Sequence, residues 1–548
     1  MHVTFVGIGW EQLGISLLSA IAKRYGHSVN LAFSVSLFND RYNFDVPVLS
    51  SFFDDTKDVI DTIEKQHPDV LVFSPLTCTY QWMLSVAAAA KQILPNVKVV
   101  FGGVHVSAVP ELVISREEVD FICIGEGDIA FPLILQVIEK RLYGKIIPNT
   151  RYKLANGKII IGPQTGFIQD LDSLPIFDKP LWEDYMRLGD IYFTLASRGC
   201  PNRCSYCFNS YFAGLHGNSP IGYVRHRSPE HMLAELRFAK KRYRLKIIEF
   251  EDDVFTLNKK WLKEFLYKYK KEIGLPFQCL SHPLYMNNEI ARLLADAGCI
   301  YVQMGVQSMH DGYKRSVLNR YETQSHIESA FNAMRRYNIK VKVDHMFALP
   351  NEPIEAQELA LKVYMKYRPF RIQTFWTNFL PGTKMFHEAC ESGLITESEA
   401  DLLNNGINSD FYRNSAKIKD HSKERIYHRY EACFKLIQSL PPKAVQYSIT
   451  VLLHMPVVVC RLISFFIDIF SGLIKRNPDH IGYAKYYLFH IIRFLLKKVG
   501  VEIGPATKVD RQLNYKDKIV ECREYFRDIS KEISDSKLKE EEEDMCRV

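Results

Sequence analysis

Arg198-Gly-Cys-Pro-Asn-Arg-Cys-Ser-Tyr-Cys207 puts three thiols in one loop, directly after the apolar run Tyr192–Ala196. The spacing is C-x3-C-x2-C. Soft thiolate ligands select iron–sulfur clusters, zinc or copper(I). A closed structural zinc site takes four ligands, usually as C-x2-C pairs. Here no fourth Cys or His stands at ligand spacing, and His216 is the nearest histidine. Cys200, Cys204 and Cys207 are therefore the candidate metal ligands. Three protein ligands on a four-iron cluster leave one iron open to a small molecule. A zinc knuckle completed from elsewhere in the chain is the competing reading.

The rest of the composition fits a metal role for this loop. Of 12 cysteines in 548 residues, the other nine are scattered. That is no disulfide scaffold, and clustered thiols in a reducing compartment are metal-binding or catalytic. The first residues, Met1-His-Val-Thr-Phe-Val-Gly-Ile-Gly9, read as a β-strand and not as a signal peptide, so a cytoplasmic location is expected.

Around the loop, residues 191–390 alternate strands with helical patterns. The strands expected are Tyr192–Ala196, Ile247–Glu251, Phe277–Leu280, Tyr301–Met304, Lys342–Met346 and Gln373–Thr377. Six such units predict a partial β/α barrel with its chemistry at the carboxyl ends of the strands.

With its cysteine loop after the first strand of six, this region resembles the radical SAM superfamily. Phe250-Glu-Asp-Asp-Val-Phe255 is similar to that family's acidic turn, Gly305-Val-Gln-Ser308 to its fourth-strand motif, and Leu318-Asn-Arg320 to the segment whose Arg meets the SAM carboxylate. Leu380-Pro-Gly-Thr383 is similar to the sixth-strand end. Ala348-Leu-Pro-Asn-Glu352 resembles the Gly-Leu-Pro-Gly-Glu turn, with Ala348 and Asn351 in place of both glycines. The resemblance implies a [4Fe–4S] cluster on the three cysteines. S-adenosylmethionine (SAM) would sit against Tyr206, Asp252, Gln307, Ser308, Arg320 and Leu349. Reductive cleavage of SAM would give a 5′-deoxyadenosyl radical, with electrons from a reductant such as flavodoxin or ferredoxin.

Residues 1–142 predict a doubly wound parallel sheet, from strands at Val3–Val6, Val70–Phe73, Val97–Phe101 and Phe121–Ile124 with helices between them. Such sheets bind ligands at their carboxyl edge. Gly7-x-Gly9 is not a dinucleotide fingerprint, because Gln12 stands where the third glycine belongs. The domain is instead similar to the cobalamin-binding domain found ahead of many radical SAM domains. The residues carrying that resemblance are Gln12 and Leu13, Ser74 and Thr77, Gly102, Gly103 and His105, and Gly125, Glu126 and Gly127. The Asp-x-His-x-x-Gly signature is absent, which resembles the subgroup whose cobalamin has no histidine ligand from the protein. A domain that kept this shape and lost the cofactor is the alternative.

Residues 143–190 are rich in Gly, Pro and Asp and read as a linker with a hairpin at Asn156-Gly157. Residues 391–548 read as helical, ending in a solvated charged tail, Lys539-Glu-Glu-Glu-Glu-Asp544. Within them, 444–474 is apolar and long enough to span a bilayer. His454, Arg461 and Asp468 recur along it and Pro456 interrupts it, which favours an interfacial or a packed amphipathic helix. A second amphipathic stretch covers 481–499. Between Lys443 and Gly500 stand eight Lys and Arg against two Asp, so most of the chain's net charge of +7 lies there. Basic charge beside apolar faces suits an anionic membrane at the inner face of the cell envelope; nucleic acid is not expected. Simple packing on the barrel is the alternative.

The reading that follows is a radical SAM enzyme that uses cobalamin to methylate an unactivated carbon of a small, lipid-like substrate. The alternatives are oxidation, cyclisation or rearrangement without methyl transfer, and a sensor that binds both cofactors without turnover. No side chain identifies itself as a general acid or base.

Overall fold

The computed structural model describes residues 1–39, 46–215, 217, 222–407, 421–507 and 509. His216 and the acidic tail lie outside them. The chain forms two large sheets and a C-terminal helical layer.

The first sheet has seven strands in the order β2-β1-β3-β4-β5-β6-β7. These are β1 (His2–Ile8), β2 (Ser28–Ser34), β3 (Val70–Phe73), β4 (Lys98–Phe101), β5 (Phe121–Cys123), β6 (Thr150–Lys153) and β7 (Ile159–Ile161). The first five are parallel. Val70-Leu-Val-Phe73 is buried throughout, as a strand covered by helices on both faces must be. The hairpin at Asn156-Gly157 adds β6 antiparallel to β5 and β7 antiparallel to β6. The segment 143–190 therefore does more than link. Its Trp182 is fully buried and donates from the indole nitrogen to Ser16 Oγ at 2.8 Å.

The second sheet is an open, all-parallel barrel of six strands in sequence order. They are β8 (Tyr192–Thr194), β9 (Ile248–Phe250), β10 (Phe277–Ser281), β11 (Cys299–Gln307), β12 (Lys340–Phe347) and β13 (Arg371–Trp376). Polar residues after the strands start the following helices. Thr383 of the Pro-Gly-Thr turn accepts from the Phe386 amide at 3.3 Å and caps the helix Lys384–Glu391. Cys279 and Cys299 are buried in the barrel wall.

Among the described residues, four helices follow residue 420: His421–Ser439, Pro442–Leu452, Val457–Ile474 and Pro478–Lys498. The apolar stretch 444–474 is thus two helices, broken at Pro456. No helix of the described residues is long and apolar enough to cross a membrane. The first of the four covers the barrel's edge strand. Gln438 Oε1 accepts the Ile372 amide at 2.7 Å, a hydrogen bond that the edge of β13 would otherwise lack. The last helix spans both sheets. Tyr486 donates to the carbonyl of Gly9 at 2.9 Å and packs on Trp10 at 4.8 Å. Asp479, at its start, meets Lys342 and accepts from Gln278 Nε2 at 2.9 Å at the amino end of the barrel.

Candidate active site

The cysteine loop leaves β8 through Ser197–Arg198, which pairs antiparallel with Arg225–His226. Gly199 follows at φ +87°, and a Cβ there would come within 2.5 Å of the Tyr223 carbonyl oxygen, so only glycine admits this path. The loop is then laced to two later strand ends. Ser205 donates from its amide to Leu318 O at 3.0 Å and from its hydroxyl to Val317 O at 2.7 Å, and its own carbonyl accepts the Met385 amide at 2.9 Å. Asn319 Nδ2 donates to Arg203 O at 2.6 Å.

Cys204 is buried, while Cys200 and Cys207 are partly exposed. Burial pushes the Cys200 thiol up to about 11, helped by the charge of Asp253, and the Cys207 thiol up to about 12, helped by Cys204. Cys200 and Cys207, so raised, ionise readily only against a cationic metal group. Among the described residues, no three His, Cys, Asp or Glu converge as the ligands of a single metal ion would. Three cysteine thiols on one loop are the soft donor set that holds an iron–sulfur cluster, one thiolate per iron, so the residues present fit such a group.

Arg320 stands beside the loop, almost fully buried. Its guanidinium lies 3.8 Å from Cys204 Sγ and donates to Tyr206 Oη at 2.9 Å, to Gly305 O at 2.7 Å and to Glu322 at 2.6 Å. It also lies 3.0 Å from His282 Nε2. Glu322 is held down at about 2: burial opposes ionisation, but His282 and Arg320 outweigh it. Burial lowers His282, which favours its neutral form. Sequence reading singled out Arg320 and neither of these two partners. Glu322 lies two residues away and was findable as an adjacent carboxylate; His282, on another strand end, gave no signal.

The other expected SAM residues are spread around the same strand ends. Gln307 ends β11 in the left-handed region at φ +64°. Ser308 is fully buried and Leu349 nearly so. Ala348 and Asn351, which replace glycines, adopt φ of +61° and +57°, the region glycine favours. Asp252 turns inward: its carboxylate accepts the Ala196 amide at 3.0 Å and the Ser197 hydroxyl, bracing the root of the cysteine loop. Its pKa is raised by burial to about 7. Inside the barrel, Gln303 donates to both oxygens of Asp344 at 3.1 Å.

At the carboxyl edge of the first sheet, β1, β3, β4 and β5 are followed by the small residues Gly9, Ser74, Gly102 and, one residue further on, Gly125. Gly103, at φ +84°, lets β4 pass Ser74, whose Oγ a Cβ would meet at 2.7 Å. Gly102 adjoins it, and Gln12 and Leu13 begin the helix Leu13–Arg24. His105 is fully buried, 3.2 Å from Thr77 Oγ1, and burial lowers it to about 3. Its Nε2 has no hydrogen-bond partner among the described residues. Gly125 donates its amide to Ser107 Oγ at 2.8 Å, and Gly127 opens the helix Gly127–Lys140. A strand edge kept free of bulky side chains, with one orphaned buried nitrogen behind it, fits a large planar cofactor. Glu126 points elsewhere, to Arg225 at 2.7 Å and Arg198 at 3.2 Å.

These contacts bring the two sheets together end to end. Arg198, at the root of the cysteine loop, meets Asp128 at 2.5 Å. Tyr211, just past Cys207, donates to Ser107 O at 2.6 Å. Gly382, beyond β13, lies so close to Ala108 that a Cβ would meet it at 3.2 Å. The carboxyl ends of both sheets therefore border the same space.

Comparison with known proteins agrees with this layout. The family model described as the radical SAM superfamily matches residues 194–363, and the B12 binding domain model matches residues 4–135. An uncharacterized methyltransferase of Pyrococcus horikoshii is 27% identical over 69% of this chain and 82% of its own length. The solved structure of OxsB, a cobalamin-dependent S-adenosylmethionine radical enzyme, with aqua-cobalamin and S-adenosylmethionine bound, covers 98% of this chain and 81% of that one at TM-score 0.59 and 13% identity. The radical S-adenosylmethionine methyltransferase TsrM of Kitasatospora setae, with cobalamin and a [4Fe-4S] cluster bound, covers 71% and 78% at TM-score 0.56 and 16% identity.

Proposed function

Since this chain belongs to the radical SAM superfamily and carries a B12 binding domain ahead of its radical SAM domain, we propose that it methylates an unactivated carbon of a small, lipophilic molecule. The observation that carries this reading is the meeting of the two carboxyl edges at Arg198–Asp128, Tyr211–Ser107 and Gly382–Ala108. A methyl carrier on one edge and SAM on the other would share one substrate space.

When bound, the [4Fe–4S] cluster supplies the electron that cleaves the SAM sulfonium, and cobalamin carries the methyl group. The chain's residues provide the setting. Cys200, Cys204 and Cys207 hold the cluster. Arg320, kept charged by Glu322 and Tyr206, presents a fixed cation to the SAM carboxylate. Tyr206, Gln307, Ser308 and Leu349 shape the wall around it, and Asp252 holds the loop root. Gln12, Leu13, Ser74, Thr77, Gly102, Gly103, Gly125 and Gly127 form the cobalamin edge, with His105 behind it and Glu126 clamping it to the barrel.

Electrons come from a flavodoxin or ferredoxin. The enzyme works in the cytoplasm, at the inner face of the membrane, with 444–499 toward the lipid. The exposed apolar side chains of that segment support a greasy substrate.

The test is anaerobic reconstitution with iron, sulfide, cobalamin, SAM and a reductant. Production of both S-adenosylhomocysteine and 5′-deoxyadenosine with a candidate substrate is expected. Deoxyadenosine alone would overturn methyl transfer, and neither product would overturn the enzyme reading.

A further inference from the structure

A cleft of about 800 Å³ opens at the amino ends of β12 and β13. That is the end of the barrel opposite the cysteine loop. Arg335, Lys340, Lys366, Arg368 and Lys475 line it, and among the described residues no Asp or Glu does. Among the described residues only Lys366 of these has a carboxylate partner, Glu328. Lys340 and Lys475 sit over the same ring of Phe370, at 4.9 and 5.1 Å, and Lys475 also donates to its carbonyl at 3.1 Å. Arg368 donates to the carbonyl of Leu440. Cations gathered this closely without an anion repel one another, and a bound anion removes the penalty. Lys475 shows the cost: burial, together with the charges of Arg368 and Lys340, lowers it to about 8.

The mouth of the cleft belongs to the C-terminal helical layer. Leu440 and Pro441, which lead into the helix Pro442–Leu452, line it, as does Lys475, which ends the helix Val457–Ile474. Both helices also carry apolar side chains in solvent. Tyr447 is 81% exposed, Phe466 51% and Phe470 55%. Aromatic and aliphatic side chains next to basic charge are what an anionic bilayer surface takes up. A second copy of the chain meeting this face head-on would set cation against cation.

We propose that this cleft takes the phosphate of an anionic phospholipid headgroup, while Tyr447, Phe466 and Phe470 enter the adjoining acyl boundary. The inference deepens the membrane contact proposed above, and its test involves no turnover, so it stands or falls apart from methyl transfer.

Full-length holoenzyme is sedimented with vesicles of phosphatidylcholine alone or with added phosphatidylglycerol. Retention only on the anionic vesicles is expected. Lys340→Gln and Lys475→Gln should each weaken it roughly fivefold, with Arg335→Gln as a fully surface variant should Lys475→Gln fold poorly. Phe466→Ser and Phe470→Ser should weaken it as well. Equal retention on both vesicles, or no effect of the charge variants, overturns the proposal. Saturable binding of inorganic phosphate without vesicle retention assigns the cleft to a soluble phosphate instead. A dimer abolished by Phe466→Ser assigns the apolar face to a second copy, and also overturns it.

Discussion

Arg198 and Asp128 meet at 2.5 Å although 70 residues separate them in the chain. Arg198 starts the cysteine loop and Asp128 starts the helix after β5. Glu126 adds a second carboxylate at 3.2 Å. Removing one partner of a buried pair strands the other charges, at a cost of about 3–5 kcal/mol. Arg198→Ala should therefore lower the thermal midpoint and loosen the cysteine loop, and Arg198→Lys should restore only part of the loss. Melting curves and iron content measured on the same samples check both effects; an unchanged iron content with lowered stability would make the clamp purely structural.

Replacing Cys200, Cys204 or Cys207 singly by Ala should leave the anaerobically reconstituted protein with background iron and no charge-transfer colour. Cys279→Ala, in the barrel wall, serves as control and should retain full iron. A variant of the loop cysteines that keeps its iron and colour would disprove their assignment.

Arg320→Ala should weaken SAM binding by about 2–5 kcal/mol, because the SAM carboxylate would be buried without its cation and beside the carboxylate of Glu322. Arg320→Lys keeps the charge but loses the fork that reaches Tyr206, Gly305 and Glu322 together, and should recover only part. Equilibrium binding of SAM to the cluster-loaded protein measures this. Native affinity in Arg320→Ala would remove Arg320 from the site.

Glu352 predicts a pH dependence. Burial raises it to about 8 from the ordinary 4.5, so the folded protein keeps it protonated at neutral pH. A raised carboxyl contributes stability that is fully present below about 4.5 and is lost as pH rises through about 8. Glu352→Gln mimics the protonated form and can still accept from Gln357, which donates to Glu352 at 2.8 Å. The variant should match the parent near pH 5 and exceed it in stability near pH 8. Thermal melts across that range decide it, and parallel curves would count against the raised value.

Ala348 pays for its φ of +61° with roughly 1 kcal/mol, since the left-handed region crowds a Cβ. Ala348→Gly should raise stability by about that amount without changing SAM affinity. Asn351→Gly should gain less, because Asn tolerates the region better. A destabilised Ala348→Gly would show that the methyl group is held by packing that outweighs the strain.

These positions also show what the sequence could reveal. All six barrel strands stood out, because short runs with apolar residues at every second position, as in Lys340–Phe347 and Arg371–Trp376, recur between stretches of helical spacing. β2 did not: Ser28-Val-Asn-Leu-Ala-Phe-Ser34 sits at the sheet edge and carries polar residues at both ends. The departures at Ala348 and Asn351 were visible as letters, but their retained backbone path was not. Glu126 resembled a cofactor residue by position, while its engagement by Arg198 and Arg225 depends on how the two sheets meet, which no local pattern encodes. The hairpin at Asn156-Gly157 was legible from its turn, but its pairing with β5 was not.

The hydrogen bond from Tyr486 to Gly9 joins residues 477 positions apart. A chain emerging from the ribosome therefore has both sheets long before it has the helix that clasps them. Until Pro478–Lys498 is synthesised, Trp10 lacks its aromatic cover and the amino end of the barrel lacks Asp479. Synthesis itself thus provides an interval in which the two halves exist but are not yet fastened, and shortening the chain ahead of residue 478 would make that interval permanent.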